Sequence, residues 1–171
     1  MAEPSEIIET TKVERNDAIR FAALTVANLD FIEAAWRSAQ DRGLHPPVHL
    51  VAQTVNSLLG LIVFTCEREY VRFTLTERLD ALKAKGWPDW KFHLGGSPAD
   101  TLGDLIYHIR NGASHARISF SSDSHLPSEV EITIEDAHPK TKKVYWRVST
   151  SAADLLNFCR LYGRHVDDII G

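Results

Sequence analysis

The 171 residues carry a formal net charge of -4 and are 44% hydrophobic and 25% charged, which fits one ordinary domain able to bury a core without disulfide or metal staples. That balance excludes a disordered or fibrous chain and a protein coated in basic residues for sequence-independent nucleic-acid binding, while leaving room for a local basic patch. The longest apolar run, Leu58 to Phe64, is interrupted by Gly60 and is far shorter than the roughly 20 residues that span a bilayer.

The opening stretch MAEPSEIIETTKVERND has no basic segment followed by an apolar one, so no signal peptide is expected and a cytoplasmic location follows. A single domain over residues 1–171 is expected, with about the first 12 flexible. Apolar residues then recur at Ile19, Ala22, Val26, Leu29, Ile32, Trp36 and Ala39, the spacing of an amphipathic helix, and Gly43 ends it. Pro46 and Pro47 open a second helix along Val51, Val55, Leu58, Ile62 and Cys66. Leu59, Leu61, Val63 and Phe64 widen its stripe almost all round, which predicts the most central position. Charges return from Glu67 to Lys85, and the pattern predicts helix up to Gly86. Trp87, Pro88, Trp90 and Phe92, with Gly95 and Gly96, read as an aromatic loop that caps the core.

Ser97 as N-cap, Pro98 at the first helical position and Asp100 at the third predict the start of a further helix. Its core face is Leu102, Leu105, Ile106, Ile109, Ala113 and Ala116. Strict alternation follows at Ile118 and Phe120, at Val130, Ile132 and Ile134, and at Val144, Trp146 and Val148, predicting three short antiparallel strands. Turns fall at Ser121 to Ser128 and His138 to Lys143. Ser151 and Asp154 form a capping box for a last helix that buries Leu155, Phe158, Cys159, Tyr162, Val166 and Ile169. Both cysteines, Cys66 and Cys159, occupy apolar-periodic positions and are expected to be free thiols in a reducing compartment.

A projection of the helix around residue 110 places Asp104, His108, Asn111 and His115 in a strip roughly 60° wide, opposite the core face. A solvated helix face is usually built from Lys, Glu, Arg and Gln. Here it holds weaker helix formers, and Gly112 beside them costs about 1 kcal/mol relative to alanine without evident structural need. Arg110 lies one edge over, with Tyr107 and Ser114.

The stretch IRNGASHARI, with Arg110, Asn111 and His115, resembles the R-x4-6-H signature of the HEPN superfamily of helical ribonucleases and nucleotide-binding domains. The resemblance extends over roughly residues 13 to 170, and an insertion of about 117–149 before the last helix is similar to that of some bacterial branches. It implies a mainly α, up-and-down helical bundle with a small antiparallel β insertion. It also implies a metal-independent endoribonuclease that leaves a 2',3'-cyclic phosphate, in a toxin or defence role.

The chemistry is consistent with those residue types. RNA cleavage at a 2'-hydroxyl needs a base, an acid and a cation for the phosphorane. An imidazole such as His115 moves protons near neutrality, and Arg110 offers a planar fork for phosphoryl oxygens. Asn111 would orient the phosphate or the histidine; Asp104, His108, Ser114 and Arg117 would line the substrate side. A two-fold dimer through the Asp104 to His115 helix would supply a second Arg110 and His115, as the resemblance also implies.

Toxin members restrained by an adenylyl-transferring antitoxin carry R-x4-H-x-Y, and Arg117 occupies the tyrosine position here. That mode of regulation is therefore not implied, although an antitoxin or neighbouring regulator remains an expected partner beside RNA. Lys140, Lys142, Lys143 and Arg147 would add positive charge or simply form a solvated turn. The other open reading is a non-catalytic module binding RNA, a nucleotide or a protein. No cofactor or metal is expected: Asp104, His108 and His115 span about 16 Å of one helix, His45 and His49 read as loop residues, and His93, His125, His138 and His165 show no partner.

Overall fold

The computed structural model describes residues 4–66, 75–94 and 99–170. Helix α1 runs Pro4–Asp41 and α2 Leu50–Cys66; a short α3 spans Leu79–Ala84, α4 Leu102–Ser114 and α5 Ala152–Ile170. Strands β1 (Lys91–Leu94), β2 (Ile118–Phe120), β3 (Glu131–Ala137) and β4 (Val144–Ser151) form one antiparallel sheet in the order β1-β4-β3-β2. The mainly α fold with a small sheet before the last helix is therefore as expected.

The long helices form because their apolar stripes have somewhere to go. Ala22 and Leu29 of α1, Val51, Leu58 and Ile62 of α2, and Leu155, Phe158, Cys159, Tyr162 and Val166 of α5 are all buried in one core. Helix α2 touches α1, α4 and α5, which makes it central, yet it is not buried all round: Val63 is exposed. Its buried threonines are satisfied internally, with Thr54 donating to the Leu50 carbonyl and Thr65 hydrogen-bonded to both the Leu61 carbonyl and Tyr162. Gly43 takes a φ of +65° just beyond α1, the left-handed conformation that glycine adopts without a Cβ clash. The Ser151–Asp154 capping box opens α5. Burial raises the Cys159 thiol pKa to about 12, so it packs as a small hydrophobe.

Four expectations change. The prolines at 46 and 47 precede α2 by several residues instead of starting it. Residues 67–74 lie outside the described residues, but 75–77 have no regular secondary structure, so helix does not run unbroken to Gly86. Lys91–Leu94 is a fourth strand, paired with β4; Phe92 and Leu94 do alternate with Lys91 and His93, but its four residues are all exposed and so short an alternation also fits a loop. Trp87 and Trp90 do cap the core, both edge-on to Phe158. Finally, Ser97 and Pro98 lie outside the described residues, and the cap of α4 is Thr101. The Leu102 and Gly103 amides donate to the Glu77 and Leu75 carbonyls, which satisfies helix-start donors that otherwise lack partners.

The sheet lies against α4, and Gly112 marks the contact. A Cβ there would stand 2.6 Å from the Glu135 carbonyl oxygen and 2.7 Å from Ile134 Cγ2. The glycine thus has a structural need after all: the backbone it admits is the chain's own β3. In a free helix, Gly112→Ala would gain about 1 kcal/mol. Here the clash reverses the sign, and thermal unfolding is expected to show a net loss of about 1–3 kcal/mol.

Candidate functional site

Helix α4 ends in a Schellman turn. Arg117 N–H donates to the Gly112 carbonyl at 2.9 Å and Ala116 N–H to the Ala113 carbonyl at 3.0 Å, closing the last orphan carbonyls. Ala116 sits at φ 53°, a left-handed conformation that costs an alanine roughly 1 kcal/mol. This turn makes His115 the C-cap residue and exposes both His115 and Ser114. Arg110 and Arg117 are half-buried beside it. The motif's cation and imidazole therefore fall within the last two turns of one helix, with the imidazole at its C-terminal end and at the surface.

The expected strip of four polar side chains does not form a single exposed edge. Asp104 is committed to the helix start: its carboxylate accepts from the Thr101 backbone N–H at 3.2 Å and hydroxyl at 2.7 Å, while its own N–H donates to Thr101 Oγ1 at 3.2 Å. His108 and Asn111 turn toward the sheet. His108 Nδ1 lies 2.9 Å and Asn111 Nδ2 3.1 Å from Oδ2 of Asp136 on β3. The same oxygen accepts the Tyr145 hydroxyl at 2.6 Å. An ionised carboxylate only accepts hydrogen bonds, so Nδ1 of His108 carries the proton. The imidazole also stacks on Trp146, with ring centroids 4.8 Å apart and planes 19° from parallel.

Asp136 is 2% exposed. Burial pushes its pKa up, but the hydrogen bonds from Tyr145, His108 and Asn111 outweigh it and hold the carboxyl below its usual range. The Tyr145 hydroxyl moves the other way, raised first by burial and then by its bond to Asp136. Three donors thus fix one buried negative charge.

Sequence reasoning missed Asp136, although a signal existed. It continues the inward phase of Val130, Ile132 and Ile134 along an alternating strand, where a carboxylate needs a buried set of partners. Arg147 is drawn away from any phosphate role by Glu135, whose carboxylate accepts its Nε at 2.6 Å. Lys140, Lys142 and Lys143 stand exposed on the β3–β4 turn.

The remaining histidines do have neighbours. His93 Nε2 is 2.8 Å from the Ser149 hydroxyl, His138 Nδ1 accepts from the Lys140 and Thr141 amides, and His165 lies 3.3 Å from the Glu77 carboxylate. His125 meets both His45 and His49, with ring centroids 5.1 Å and 4.3 Å apart. Among the described residues, no group of three or more His, Cys, Asp or Glu is placed to hold a metal ion. Among them, too, no helix is long and apolar enough to cross a membrane.

A helical core with a four-stranded sheet packed on the helix that presents Arg110 and His115 defines a helical-bundle module of the HEPN type. The chain belongs to this family: the family model described as HEPN pEK499 p136 matches residues 1–169. Neither a curated protein nor a solved structure gave a significant match.

Proposed function

We propose that this chain is a metal-independent endoribonuclease acting as a two-fold dimer through α4. One observation carries the reading: the last two turns of α4 hold a half-buried Arg110 and end on an exposed Ser114 and His115, a cation and a proton carrier on one helix of a family commonly concerned with RNA. In the reaction, one imidazole removes the 2'-hydroxyl proton, the 2'-oxygen attacks phosphorus, and the 5'-oxygen leaves with a proton supplied by the other. Arg110 neutralises the phosphorane oxygens. One exposed His115 is half of that pair, and a second copy of α4 supplies the other half.

Of the two parts its place in the motif implied, orienting the phosphate or the histidine, Asn111 fits the second. Its amide N–H points to Asp136, so it holds α4 on the sheet and positions Arg110 and His115 rather than reaching for phosphate. A toxin or defence setting with a protein regulator accords with such an activity; Arg117, where a tyrosine would take adenylylation, speaks against that form of control.

A second reading, a non-catalytic module that binds RNA, a nucleotide or a protein, draws support from the commitment of Asp104, His108 and Asn111 to packing. One experiment separates the two. Purified protein incubated with varied RNAs in EDTA is expected to yield fragments ending in 2',3'-cyclic phosphate, and its solution mass is expected to be that of a dimer. Intact RNA throughout favours the binding module, and a monomer that cleaves would rule out the shared site.

A further inference from the structure

Tyr145 is a large aromatic residue that is 44% exposed and yet tethered. Its hydroxyl is fixed on Asp136, and its ring stands 5.9 Å from that of His108, 72° from parallel. His108 in turn meets Tyr107 edge-on at 5.3 Å and is backed by the buried Trp146. An exposed tyrosine is ordinarily free to change rotamer, and binding then has to immobilise it. Here the hydroxyl bond has already done so, leaving a ring face held ready for a flat ligand.

The charge beside this ring is positive. Lys140, Lys142 and Lys143 stand exposed two to five positions before Tyr145, on the turn that leads into β4. The nearby acids are occupied: Asp136 is buried under three donors, and Glu135 is paired with Arg147. A pre-oriented aromatic face next to exposed cations is the combination that holds single-stranded nucleic acid, with bases stacking and phosphates following the charges. A duplex hides its base faces and gains little from such a ring.

We propose that Tyr145, flanked by His108 and Tyr107, is a stacking platform for one unpaired base of a single-stranded RNA whose phosphates lie along the Lys140–Lys143 turn. This rests on the RNA reading above, but not on catalysis. It places the platform on the sheet side of α4 and makes the β hairpin part of the substrate surface.

The test uses full-length His115→Ala protein, which keeps the probe intact, and a fluorescein-labelled single-stranded RNA read by anisotropy, with its duplex in parallel. Adding Tyr145→Ala is expected to weaken single-strand binding roughly tenfold and to leave duplex binding unchanged. Tyr145→Phe keeps the ring without the hydroxyl bond and is expected to bind within about threefold of its parent. Equal binding by Tyr145→Ala and its parent overturns the platform, as does a Tyr145→Phe loss as large as that of alanine, or a parent that binds no single strand. Cleavage by the unmodified chain is scored separately. If it is absent while the Tyr145 effect holds, the nuclease reading falls and the platform stands. If cleavage is present while Tyr145→Ala binds normally, only the platform falls.

Discussion

His115→Ala is expected to lower the rate of RNA cleavage by roughly two to four orders of magnitude, the usual contribution of a positioned acid or base. The loss should appear in kcat, because a surface imidazole adds little to ground-state binding. Arg110→Ala is expected to lose about 10²–10³-fold, the usual worth of a group aimed at charge that develops in the transition state. Arg110→Lys keeps the charge without the planar fork and should recover only part of it. His115 is exposed on the closing turn of α4, so its alanine variant should unfold at the temperature of the parent. Full cleavage by either alanine variant would remove the motif from the mechanism. Mixing His115→Ala chains with unmodified chains tests the shared site: a common cleft needs both imidazoles, so a mixed dimer is expected to be nearly inactive and activity to fall as the square of the unmodified fraction. Two independent sites would lose activity only in proportion to that fraction.

The largest stability effect is expected at Asp136. Asp136→Ala strands the half-buried His108 Nδ1–H and Asn111 amide against the sheet and releases the Tyr145 hydroxyl to solvent, and should cost about 2–4 kcal/mol. Asp136→Asn keeps an acceptor but brings two hydrogens of its own into a pocket already crowded with donors, so it should also destabilise, by less than alanine. The pH dependence has a definite sign. Because the folded carboxyl titrates below its usual range, its stabilisation is fully present above the unfolded aspartate pKa and disappears as pH falls through the depressed folded value. The gap between the urea midpoints of Asp136→Asn and the unmodified protein should therefore be wide at neutral pH and narrow in acid. A gap that stays constant would show that the carboxylate's charge contributes nothing. Since Asp136 holds Asn111 and His108 on the sheet, its loss should also reduce cleavage, through the set of α4 and not through the proton transfers themselves. A lower rate with an unchanged pH–rate profile is the signature expected.

These effects lie at different depths of the sequence. The stripes of α1, α2 and α5 were legible from period alone, because each of these helices buries essentially one face and is wet on the other. Val130, Ile132 and Ile134 announced β3 for the same reason in period two. The Ser151–Asp154 cap was readable because it is a contact three residues long, and the Arg110–His115 signature because its residues share two turns of one helix. Strand β1 was only faintly legible: Phe92 and Leu94 alternate with Lys91 and His93, but it is a four-residue edge strand with exposed side chains, paired through its backbone to Val148 and its neighbours, and an alternation that short does not separate a strand from a loop. The start of α4 was misplaced because Thr101 and the 75–79 segment cap it together, and only one half of that arrangement is local.

What the sequence by itself determined was the family, the helical core and the position of Arg110 and His115 at the end of one helix. What only the tertiary structure decided was the fate of the side chains between them. Projection onto a cylinder assumes one buried face and one wet face, whereas α4 has helix α2 on one side and strand β3 on another, so His108, Asn111 and Gly112, read as solvent-facing, are covered. Their partner, Asp136, lies 25 to 28 residues away, and the register that pairs it with Trp146, followed at once by an irregularity in the ladder, brings it within reach of Tyr145 as well. Strand register is a property of the assembled sheet, and no local pattern in the chain encodes it.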